Sequence, residues 1–165
     1  MPGPRRRHSQ VADSGKQWRS GTAVTCLLDV NVLIALIDPM HTHHERAHDW
    51  FGSIGKSAWA SCPLTQNGVL RIVAHARYPH SPGPPAHVGA LLARFCAQAE
   101  HHFWADDLSV LDSETVKLDR LLSSTQMTDT YLLALAVKNE GCLATFDKRL
   151  VTDAVRGGRE ALHVI

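Results

Sequence analysis

A short apolar run that closes on an aspartate occurs twice in this chain, as Leu27-Leu28-Asp29-Val30-Asn31 near one end and Leu143-Ala144-Thr145-Phe146-Asp147 near the other. Each run has the length of one strand, and each passes into a segment expected to be helical. Between them, strand-like and helix-like stretches alternate. Strands are expected over residues 24–28, 58–62, 102–105, 142–145 and 162–165. Helices are expected over 32–37, 43–53, 64–74, 86–99, 114–122, 129–139 and 148–154. Residues 78–85 hold Pro79, Pro82, Pro84 and Pro85 and read as a loop. Such alternation predicts an α/β fold, a three-layer sandwich in which a parallel sheet of about five strands carries helices on both faces.

The 165 residues suffice for one domain. The first 23 residues are polar, rich in Pro, Gly and Ser, and without periodicity. They read as a disordered basic arm or a start-site extension, with the domain expected over 24–165. Residues 1–20 hold five basic residues against Asp13 alone, which leaves the rest with twelve basic and fifteen acidic residues. A broad basic face for nucleic acid is therefore excluded, and phosphate would have to be met locally or through bound cations. No apolar run approaches the ~20 residues of a membrane span, no signal peptide opens the chain, and a cytoplasmic location is the default. Cys26, Cys62, Cys96 and Cys142 lack any CxxC pairing and read as small buried hydrophobes in a reducing compartment.

The chemistry rests on position. Asp29 and Asp147 each follow a strand, and Asp129 opens an apolar helix in Gln126-Met127-Thr128-Asp129-Thr130. In a parallel sheet, the C-terminal ends of strands and the N-termini of helices share one edge, where such folds place their sites. Each aspartate alone would serve equally as a helix cap. Three at equivalent joints point to a site. Clustered carboxylates raise one another's pKa, and a hard divalent cation relieves them. Such an ion can activate water for phosphoryl displacement.

The order LLDVNVLIAL, SCPLTQNGVLRIV, TDTYLLALAVKNEGCLATFDKRL resembles the PIN-domain nucleases, and most closely the VapC-type toxins of bacterial toxin–antitoxin pairs. The resemblance spans about residues 24–165. It implies a PIN-like sandwich and an endoribonuclease dependent on Mg²⁺ or Mn²⁺ that restrains translation or growth. It also implies a homodimer, an RNA substrate and a cognate VapB-type antitoxin. By that resemblance Asp29, Asp129 and Asp147 are the catalytic, metal-binding acids, and Asn31 and Thr145 support them. Gln66 stands where the family's second acid is expected, which predicts a site of three acids with weaker metal affinity.

Arg71 and Arg149 are candidate phosphate contacts, or exposed arginines in surface pairs. Asp106 and Asp107 could reach the same edge or simply form turns. His41, His43, His44 and His48 read as a solvated helix start that could add attraction for RNA. Trp50, Trp59 and Trp104 read as core or interface. Two other functions compete. One is an aspartate-dependent phosphatase or phospho-receiver, against which stand Asn31 and the lack of an acidic pair before the first strand. The other is a non-catalytic module that binds RNA or antitoxin.

Overall fold

A computed structural model describes residues 24–55, 58–98 and 100–165 of the chain; the expected N-terminal arm lies outside the described residues. Five three- or four-residue strands build the sheet: β1 (Cys26–Leu28), β2 (Trp59–Ser61), β3 (His101–Phe103), β4 (Cys142–Thr145) and β5 (Leu162–Val164). All four strand pairs are parallel, in the order β3-β2-β1-β4-β5. Parallel strands need crossover segments, and six helices supply most of them: α1 (Val30–Ile37), α2 (His44–Trp50), α3 (Pro63–Val73), α4 (Pro85–Cys96), α5 (Met127–Lys138) and α6 (Gly158–Ala161).

The strand residues alternate between two cores. Cys26, Leu28, Trp59, Cys142 and Ala144 face α1 to α4. Leu27, Ala60 and Leu143 face α5 and α6. Central strands covered on both sides must be apolar throughout, which is why their sequences lack polar alternation. Residues 132–136 of α5 are all buried, as are residues 32–36 of α1. Among the described residues no helix is long and apolar enough to cross a membrane.

Four expectations need correction. Residues 114–122 do not form a helix. Val116 is drawn into an antiparallel bridge with Val155, the Asp112 side chain closes a turn beneath it, and only Leu118–Arg120 makes a single 3₁₀ turn. Residues 148–154 are tight turns, because Asp147 folds back on the Arg149 N–H. Pro85, assigned to the loop, opens α4 at a position where its missing N–H costs nothing. Finally, Cys26 and Cys142 are not free thiols. The β1–β4 register sets them directly opposite one another on one face, and they form a disulfide. Cys62 and Cys96 are free. Alkylation of the unfolded, unreduced protein should therefore label two thiols, rising to four after reduction, as read by intact mass.

Candidate active site

Strand order reverses between β1 and β4: the chain runs outward from β1 through β2 to β3, then returns to the other side of β1. A crevice opens at the C-terminal ends of strands at such a reversal. Asp29 directly follows β1, and Asp147 lies two residues beyond β4. Asp129 stands in the first turn of α5, the helix that leads into β4.

Asp29 is 7% exposed and occupies the cap position of α1, where it faces the N–H groups of Val30 and Asn31 without closing a full capping hydrogen bond. Its Oδ2 instead accepts the Thr145 hydroxyl at 2.8 Å, across the strand reversal. The same hydroxyl accepts the Asp147 N–H at 3.1 Å. Thr145 is thus a buried clip between two acids from opposite ends of the chain. Asp147 Oδ1 accepts the Arg149 N–H at 2.8 Å, which aims its carboxylate through a local turn.

The acids sense one another. Burial raises the Asp29 pKa, and the Asp147 charge adds to the rise; the Thr145 hydroxyl and the N–H groups of Val30 and Asn31 oppose it. Burial pushes the half-buried Asp129 up to about 6, helped by the charges of Asp29 and Asp147. Its carboxylate accepts no hydrogen bond from the described residues. Among these residues no group of three or more His, Cys, Asp or Glu side chains is gathered tightly enough to enclose a metal ion alone. The arrangement is an open acidic crevice with one loosely held carboxylate.

The other candidates divide. Arg149 lies at the crevice, 96% exposed, with its Nε 4.0 Å from Asp147 Oδ1, a separation that leaves the guanidinium accessible to a phosphate. Asn31 is exposed in the first turn of α1. Arg71 is exposed on α3 with no ion pair among the described residues. Gln66 is turned to another group: its Nε2 donates to Ser61 Oγ at 2.9 Å, and that hydroxyl lies 2.9 Å from His101 Nε2. The α3 residue against α1 is Gly68, where a Cβ would lie 2.7 Å from Val30 Cγ2. Asp106 accepts the Leu64 N–H and Asp107 pairs with Lys138, so both are spent on structure. Trp50 and Trp59 are core, and Trp104 covers Gly141. A cleft of about 450 Å³ lies around Leu108, Val137 and Lys138, at the far end of α5 from Asp129.

No family model matches the chain. Ribonuclease VapC44 of Mycobacterium tuberculosis is 48% identical to it over 131 residues, covering 79% of this chain and 92% of that protein. The chain belongs to the VapC ribonuclease family. Ribonuclease VapC39 of the same organism is 38% identical over 139 residues, 84% of this VapC-family chain and 100% of that protein. Ribonuclease VapC38 is 36% identical over 126 residues, 76% and 87% of the two chains.

Within this VapC frame, replacing Thr145 by Val should remove the clip while preserving volume. The expected result is a roughly tenfold loss of turnover, the scale of lost support to an acidic site, with substrate affinity little changed. Steady-state kinetics on an RNA substrate would read it.

Proposed function

We propose that this chain is a metal-dependent endoribonuclease, the toxin of a toxin–antitoxin pair. The observation that carries the reading is the clip of Thr145 between Asp29 and Asp147 beside Asp129, three carboxylates under mutual repulsion at the strand reversal of a VapC-family fold. A cluster in which Asp29 and Asp129 resist ionising suits a hard divalent cation, and Asp29, Asp129 and Asp147 would hold Mg²⁺ or Mn²⁺ with waters and substrate phosphate completing the shell. When bound, the ion supplies positive charge for the phosphoryl transition state and acidifies water.

The protein's own groups do the rest. Thr145 keeps Asp29 aligned, and the Arg149 N–H keeps Asp147 aligned. Asp129, raised to about 6 by burial and by the charges of Asp29 and Asp147, is an acid whose ionised form a bound cation would favour. Arg149 meets a phosphate oxygen. Weak metal affinity is expected from a site that lacks a fourth acid, with Gln66 turned to Ser61. The acidic balance of the domain suits a small basic VapB-type antitoxin, and we place the toxin as a homodimer in the cytoplasm.

Purified protein incubated with total RNA and Mg²⁺ or Mn²⁺ should give discrete fragments, and EDTA should abolish them. Intact RNA under every condition overturns the reading, and binding without cleavage would mark a non-catalytic module. At subsaturating Mn²⁺ cleavage should also fall as pH drops through about 6, because a proton on Asp129 then competes with the ion. A flat profile from pH 5 to 8 would contradict that assignment.

A further inference from the structure

The histidine-rich turn before α2 divides into two functions. His44 Nδ1 lies 2.7 Å from the Ala35 carbonyl and His48 Nε2 3.0 Å from the Leu36 carbonyl. Both carbonyls belong to the end of α1, where helix acceptors lack partners and no basic residue stands in the last turn. These two rings are helix caps.

His43 faces elsewhere. Its ring lies 4.7 Å from the Phe146 ring, tilted by 34°, and 5.8 Å from the His41 ring. Among the described residues its ring nitrogens have no hydrogen-bond partner. Phe146 stands between Thr145 and Asp147, its other side packed on the core beneath α1 and α2. Arg46, exposed on α2, sets its guanidinium 5.8 Å from the Phe146 centroid and donates to the Ile165 carbonyl. One residue from an acid of the crevice, therefore, stands a column of rings anchored in the core, with the Arg46 guanidinium held at its edge by the Ile165 carbonyl and carrying further N–H donors of the kind a phosphate accepts.

We propose that His43, Phe146 and Arg46 form a platform that seats an unpaired base of single-stranded RNA beside Asp147, the base stacking on the His43 ring and Arg46 meeting the adjoining phosphate. The proposal rests on the ribonuclease reading and names the residues that seat its substrate. Aromatic rings accept any base by its face, and only unstacked bases offer theirs, so single strands are selected over duplex. A site beside an acidic crevice also needs affinity that does not depend on charge alone, and stacking provides it.

The test uses the full chain carrying Asp129→Asn, in EDTA, with a short labelled single-stranded oligoribonucleotide and its duplex form, read by fluorescence anisotropy. His43→Ala should weaken single-strand binding about tenfold, and His43→Phe, which keeps a ring, should restore it to within about twofold. Arg46→Ala should weaken it about fivefold. Duplex binding should not change with His43→Ala. Unchanged single-strand affinity in His43→Ala, or equal losses for both RNA forms, overturns the platform. If the parent chain cleaves RNA while His43→Ala binds normally, the platform alone fails; if the parent neither binds nor cleaves, the ribonuclease reading fails with it.

Discussion

Asp129→Asn should reduce RNA cleavage by on the order of 10²-fold or more, about 2.7 kcal/mol of transition-state stabilisation, while raising the melting temperature of the metal-free protein. Both effects come from one property. Asp129 is held half-buried near Asp29 and Asp147, and its pKa is raised from 3.8 to about 6. Between those values the folded state binds more protons than the unfolded state, so stability falls as pH rises through that window and stays reduced above it. The full linkage would be about 3 kcal/mol, but the group is about half solvated, and screening leaves roughly 1 kcal/mol. An amide carries no charge and should recover that amount near neutral pH, a rise of about 3 °C by calorimetry. It should recover nothing below about pH 3, where the aspartate carboxyl is protonated in both states. A variant that lost both activity and stability would mean that Asp129 supports the fold rather than the chemistry.

Gly141→Ala should cost about 3 kcal/mol, a fall of roughly 10 °C in melting temperature, because the added methyl has nowhere to go. A Cβ there would lie 2.4 Å from the Thr25 carbonyl oxygen and 2.6 Å from the Trp104 ring. The ring could shift, but the carbonyl accepts the Cys142 N–H at 3.0 Å and begins the β1–β4 pairing. Moving it displaces the two strands that end at Asp29 and Asp147, so cleavage should fall as well. Gly52→Ala is the control: a Cβ there meets nothing within 4 Å, and stability should be unchanged. Equal melting temperatures for the two variants would contradict the packing described for the start of β4.

Gly141 also marks how far local reading reaches. A glycine stop to α5 is legible in the sequence, but Glu140 takes the left-handed conformation, at φ 54°, and Gly141 is needed for its close approach to β1. Buried strands and helices with unbroken apolar runs were readable because local pattern and tertiary burial agree. β4 lies at its expected bounds. Residues 114–122 show helical spacing of leucines, yet Val116 bridges Val155, a contact that no local pattern contains. Register has the same character: nothing local says that Cys26 stands opposite Cys142. The three acids were visible as strand and helix joints, but a cap and a site look alike until the carboxylate's partner is known. For Asp29 that partner is Thr145, 116 residues away. Gln66 and the histidines depended on side-chain direction, which spacing does not give.

The most direct test of one cation site built from three distant acids is Mn²⁺ binding, followed by electron paramagnetic resonance on the parent chain and on Asp29→Asn, Asp129→Asn and Asp147→Asn. Each single variant should bind Mn²⁺ at least about tenfold more weakly than the parent while remaining folded. Affinity that survives unchanged in any one of them would contradict the site described.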